Sequence, residues 1–258
     1  MRDGLAVDKW LLLAIAGLLA VGITMVLSTS YLYSQERFAD GTFFFRKQLI
    51  AVGIGAAALI ACALVPPAAY RRFAYPLLGF TLLVLVLVLI PSVGLVRGGA
   101  RRWLALPGFV FQPAELAKLA MVFYLAHSMA KKEETIRTFR LGVLPHLIVG
   151  GTFLGVLLLE PDFGTALILG ALLYLMLFIG GARVPHLLAT GLMALLVLIY
   201  VMLKADYRLR RLMTFWDPWR EAAGSGFQVI QSLIAFGSGQ FLGRGLGESR
   251  QKDGSIWF

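Results

Sequence analysis

The sequence predicts an all-α polytopic membrane protein, and three observations carry that reading. Of its 258 residues, 59% are hydrophobic and 15% charged, where a soluble domain is about half apolar and a quarter charged. The mean hydropathy is +0.80. Uninterrupted apolar runs recur along the chain, most of them near the roughly 20 residues that a helix needs to cross the hydrocarbon core. Seven spans follow, at 10–29, 47–65, 75–90, 113–129, 144–159, 163–180 and 185–203. Residues 1–203 then form a transmembrane bundle, and 204–258 a large extracytoplasmic loop region with short helices.

The first run follows the charged "MRDGLAVDKW", and "STSYLYSQ" after it has no small-x-small cleavage site, so it is expected to be a retained signal anchor. The second holds the single cysteine, Cys62, expected to be a buried, inert thiol. The fourth opens with "FVFQPAELAKLA", in which Pro113 suits the first helical position. Glu115 and Lys118 stand three apart, on one helix face, where they can pair. An ionised group within a span costs on the order of 2.5–3.5 kcal/mol, so this helix carries either a structural ion pair or a polar site. Gln112 adds a donor and an acceptor at the helix mouth.

"EPDFGT" separates the fifth and sixth spans. Asp162 suits a helix cap, with Thr165 in the first turn; Glu160 has no such explanation. His127, His146 and His186 fall at helix ends or in loops, where surface roles are expected. Beyond residue 203, Asp217 of "WDPW" can cap a turn that begins with Pro218. Ser225 and Gln228 have the spacing of a capping box.

A formal charge of +10 would suggest nucleic acid in a soluble protein. In a membrane chain it points instead to anionic headgroups or an anionic lipid-linked ligand. Zinc spacings, a Walker loop and a Ser/His/Asp signature are all absent from the sequence. With the N-terminus in the cytoplasm, the short inner loops hold nine Lys and Arg and the outer ones six, a weak preference for that orientation. The outer "RGGARRWLALPG" runs against the rule. Arg101 and Arg102 follow glycines there, a setting that suits an anionic group, or they are solvated loop residues beside Trp103. On this topology Arg101, Arg102, Gln112, Glu115, Lys118, Glu160, Asp162 and the final region all face the outer side. The cations would bind phosphate, and a carboxylate would act as base or metal ligand.

The motifs "GGARRWL", "FQPAELAKLA", "EPDFGTALI", "YRLRRLMTFWDPW", "GSGFQVIQSLIAFGSG" and "GRGLGESRQK" resemble, in order and spacing, those of the SEDS proteins, the FtsW/RodA/SpoVE family. The last motif and "WDPW" look more like the FtsW/SpoVE branch. The resemblance implies a ten-helix fold with a large outer loop after the seventh helix. It also implies a peptidoglycan glycosyltransferase that polymerises lipid II at the outer face of the bacterial plasma membrane. A class B penicillin-binding protein and other divisome or elongasome proteins are the implied partners, with no nucleic acid. The one candidate cofactor is a divalent cation.

By motif match Glu115 and Lys118 occupy the family's polar cavity, with Asp162 as a further catalytic candidate. Arg101, Arg102, Arg208 and Arg211 are candidates for the pyrophosphate, and Gln112, Asp217, Gln228 and Gln231 for other substrate contacts. After "SRQK" the family continues with a segment resembling L-P-E-x-H-T-D-F and three more helices, where this chain reads "DGSIWF". The family's usual candidate for the base lies in that segment, and Asp253 lacks its surroundings. The expectation is therefore a C-terminally truncated member whose own activity is open. A lipid II flippase or transporter and a non-catalytic divisome scaffold are the alternatives.

Overall fold

The structure, a computed structural model, describes residues 8–97, 99–106, 109–204 and 213–241, together with Gly243 and Gly245. The chain divides into two units, residues 1–64 with 202–258, and residues 65–201.

In the first unit, α1 (Lys9–Phe38) is capped by Asp8, whose carboxylate accepts from the Trp10 and Leu11 amides. It runs past the expected end at residue 29. The Thr24, Thr29 and Ser30 hydroxyls donate to carbonyls four residues back, at 2.9, 2.8 and 2.6 Å, which satisfies these polar groups within the helix. Ala39, at φ 54°, closes the helix in the left-handed region. In the turn that follows, Asp40 accepts from the Thr42 hydroxyl and amide and pairs with Arg46. Those bonds, with the Arg46 charge, hold its carboxyl below the usual carboxylate range. The next helix, α2 (Phe43–Leu64), buries no residue. Cys62 is accordingly exposed on it, not buried as the apolar run suggested.

The second unit contains α3 (Pro67–Val88), α4 (Pro113–Lys131), α5 (Leu144–Leu159), α6 (Phe163–Ile179) and α7 (Val184–Leu203). Its centre is α4, which buries Ala114, Ala117, Ala120, Met121 and Leu125 against α3, α5 and α6. Three alanines at helical spacing let neighbouring backbones approach closely, as membrane helices require where no water drives them together. All seven expected spans are helical. Among the described residues, five helices are long and apolar enough to cross a membrane, and α6, with 17 residues, is shorter.

Between α3 and α4 the structure adds what an all-α reading omits, an antiparallel sheet of β1 (Gly94–Arg97), β2 (Ala100–Leu106) and β3 (Phe109–Phe111), in that order. Its register is Leu95 opposite Trp103, then Val96 opposite Arg101. Arg102 therefore has no opposite number and forms a β-bulge. Gly94 is required at the sheet's start, because a Cβ there would collide with the Val88 carbonyl oxygen.

One π-helical turn, Phe139–Val143, leads into α5. His146, expected at the surface, is fully buried. Its Nδ1 lies 2.5 Å from the Gly142 carbonyl and its Nε2 3.1 Å from the Ser128 hydroxyl. The carbonyl can only accept, so Nδ1 carries the proton and Nε2 accepts from Ser128.

The rest of the first unit includes a helical turn at 213–216, a 3-10 turn (Pro218–Glu221) and α8 (Phe227–Gly239). Neither expected side-chain cap forms. Asp217 stands at the cap position without a capping bond, and Pro218 brings no N–H to the turn. Before α8 the cap position falls to Gly226. The Ser225 hydroxyl instead donates to Glu221 Oε2 at 2.7 Å and lies 2.6 Å from the Thr214 hydroxyl.

Candidate functional site

The polar groups singled out in α4, the sheet and the α5–α6 turn gather at one end of the second unit. Asp162 is the hub. It caps α6, accepting from the Thr165 amide at 3.3 Å and the Thr165 hydroxyl at 2.9 Å. Its other contacts cross to neighbouring elements. Gln112 Nε2 donates to Oδ2 at 2.9 Å, and Arg102 Nη1 to Oδ1 at 3.4 Å. Asp162 is 3% exposed while the Arg102 side chain is 32% exposed, and leaving a buried hydrogen-bond partner unsatisfied costs about 1–3 kcal/mol. The carboxylate therefore ties the bulged strand, the mouth of α4 and the start of α6 into one assembly.

Local sequence explains how each donor arrives. Gln112 is extended ahead of Pro113 and makes no capping bond to its own helix, so its amide is available to Asp162. The bulge sets the direction of Arg102, since an extra residue in one strand re-aims its side chain. Arg101 goes elsewhere and donates to the Leu89 carbonyl at the end of α3, at 3.4 Å. The two adjacent arginines thus do different work. Arg101 ties the sheet to α3, and Arg102 joins the Asp162 cluster, where its Nε is buried without a partner among the described residues.

Glu115 and Lys118 pair as expected, at 2.9 Å on the first turns of α4. The glutamate side chain is 59% exposed and the lysine 28%, and an exposed pair contributes about 0–1 kcal/mol. Both groups are thus held near Gln112 without being locked there. Gln112, Glu115 and Lys118 recur every third residue, which lines them up along one side of the helix.

Glu160 stands out from the others. It is 1% exposed, and neither carboxylate oxygen has a hydrogen-bond partner among the described residues. Burial pushes its pKa up to about 8, the nearby Asp162 charge adds to the rise, and Arg102 opposes it. At neutral pH this carboxyl is mostly protonated. The sequence left Glu160 without a structural explanation and grouped it with the outer-side polar residues; its signal was an acidic residue in "EPDF" beyond what a cap requires.

Arg208 and Arg211 lie outside the described residues. Asp217, Gln228 and Gln231 belong to the first unit, with Asp217 and Gln228 exposed and Gln231 half-buried. The cluster described above is built from the second unit alone.

The sequence profile of the FtsW/RodA/SpoVE family, described as a cell cycle protein, matches residues 9–256. The chain belongs to the FtsW/RodA/SpoVE family. It is 42% identical over 245 residues to the Trichlorobacter lovleyi protein named probable peptidoglycan glycosyltransferase FtsW, covering 95% of this chain and 64% of that protein. Stage V sporulation protein E of Bacillus subtilis is 40% identical over 236 residues, covering 91% of this chain and 64% of that one. A chain from a solved structure described as "Structural coordination of polymerization and crosslinking by a peptidoglycan synthase complex" superposes with a TM-score of 0.72 at 32% identity. That match covers 92% of this chain and 67% of the other. This FtsW/RodA/SpoVE chain therefore spans just under two thirds of the length of those two relatives, 64% in each case. Like its family, it is a multi-pass membrane protein.

Proposed function

We propose that the Asp162 end of the second unit contributes to a site that handles lipid II during polymerisation into glycan strands, at the outer face of the bacterial plasma membrane. The observation that carries this reading is the Arg102–Asp162–Gln112 cluster, set beside the Glu115–Lys118 pair at the end of an apolar bundle. In the reaction a sugar hydroxyl of one substrate attacks the anomeric carbon of another. A new C–O bond forms, the bond to undecaprenyl pyrophosphate breaks, and the hydroxyl proton passes to a base.

The leaving pyrophosphate gathers negative charge, which preorganised cations stabilise most effectively. Arg102, with about a third of its side chain exposed, presents its guanidinium for that role, and Asp162 fixes its position. Lys118 is a second cation, held upright by Glu115. Arg102 and Lys118 are the two cations at the Asp162 end that meet this charge. The N-terminus in the cytoplasm and a class B penicillin-binding protein as partner complete the proposal. The solved synthase complex and the excess of inner-loop Lys and Arg support them.

The test uses residues 1–252 of this chain joined to the remaining third of the T. lovleyi relative, reconstituted in liposomes with labelled lipid II. Glycan polymer is expected, and Glu115→Ala should lower its rate at least tenfold. Polymerisation undiminished by that substitution removes Glu115 from the site. Translocation of lipid II with no polymer assigns the site to transport instead.

A further inference from the structure

At the opposite end of the second unit, α3 begins at Pro67 and α4 finishes at Lys131. Between those ends lies a cavity of about 440 Å³, lined by Tyr70, Arg71, Phe123, His127 and Lys131 with two alanines. The lining holds two fixed cations and no carboxylate. Neither Arg71 nor Lys131 makes an ion pair among the described residues.

The walls have a second character. The Tyr70 and Phe123 rings lie 5.2 Å apart, and His127 meets Tyr75 edge-on at 5.5 Å. Rings of this kind favour the headgroup level of a bilayer, where one side is apolar and the other wet. The helix geometry puts the cavity at that level. α3, which carries Tyr70 and Arg71 in its first turns, is apolar enough to cross a membrane, and its 22 residues rise about 33 Å, against ~30 Å for the hydrocarbon core. The loop after α4 adds Lys132, Arg137 and Arg140 against Glu133 and Glu134, so the surroundings stay cationic.

We propose that this cavity binds the phosphate headgroup of an anionic phospholipid from the leaflet at that surface. Arg71 and Lys131 receive the phosphodiester, and the aromatic wall takes the glycerol and the first part of the acyl chains. Basic pockets between membrane helices are suited to such headgroups. The inference is independent of the glycosyltransferase reading, since it concerns the far end of the bundle and a lipid that is not consumed.

The test titrates the full 258-residue chain in detergent with phosphatidylglycerol or phosphatidylcholine of the same acyl chains, counting retained lipid by native mass spectrometry. Phosphatidylglycerol should be retained at least tenfold better. The double variant Arg71→Gln/Lys131→Gln should lose that preference, and the charge-preserving Arg71→Lys/Lys131→Arg should keep most of it. The charge-matched Arg137→Gln/Arg140→Gln should leave it unchanged. Equal retention of the two lipids overturns the proposal. So does an equal loss in both charge-removing pairs, which assigns the effect to general surface charge. Displacement of phosphatidylglycerol by millimolar inorganic phosphate makes this a free-anion site and overturns the lipid assignment.

Discussion

At one end of the α3–α7 bundle a buried carboxylate, Asp162, accepts from an arginine, a glutamine and both polar groups of a threonine. At the other end Arg71 and Lys131 flank a cavity that contains no carboxylate. The first end uses charge internally, to hold three elements in register. The second leaves its charge uncompensated within the protein, available to something outside it. The contrast separates two meanings of a polar residue in an apolar chain. Asp162 is architecture that positions the cations around it, whereas Arg71 and Lys131 stand on a shaped surface with no carboxylate to position them.

The sharpest way to break that contrast is Asp162→Ala. It strands the Arg102 guanidinium and the Gln112 amide and removes the α6 cap. The expected loss is about 2–3 kcal/mol, from stranded hydrogen-bond partners and the lost cap, read as a fall in the unfolding midpoint in micelles. A midpoint within a degree or two of the parent would show that the cluster does not hold the bundle together.

Next in size is a pH effect. The Glu160 pKa is raised from 4.5 to about 8, so the folded chain keeps a proton that the unfolded chain has lost. Its stabilising effect is complete below about pH 4.5, declines as pH rises through that window, and is gone above about pH 8. Glu160→Gln should flatten this part of the stability–pH curve and make the variant the more stable form at pH 8. A curve unchanged by the substitution would mean that Glu160 titrates normally. Smallest of all, Arg71→Gln/Lys131→Gln should shift stability by no more than about 0.5 kcal/mol. A larger loss would place those cations among the structural charges and erase the difference between the ends.

Much of the Asp162 end was legible in advance. Pro113 does begin α4, Asp162 does cap α6 with Thr165, and Glu115 does meet Lys118. Each is a local relation, between residues no more than three apart, and local stereochemistry suffices to read it. What the sequence did not reveal depends on distant partners. Ser128 and Gly142 are both needed to bury His146, and nothing beside the histidine announces them. Ser225 and Gln228 had the right spacing for a capping box, but Glu221 and Thr214 claimed the serine hydroxyl. The sheet was hidden because seven apolar helical runs dominated the pattern around it.

The bulge at Arg102 has a genetic consequence. A ladder is a counting device, and this one holds a single uncounted residue between the Leu95–Trp103 and Val96–Arg101 pairs. Deleting the Arg102 codon would make the hairpin more regular and shorten the strand by a single residue. Yet one arginine would remain where two now serve, and it cannot both reach Asp162 and tie the sheet to α3. An in-frame deletion that tidies the strand would therefore be read by the bundle as the loss of a charge.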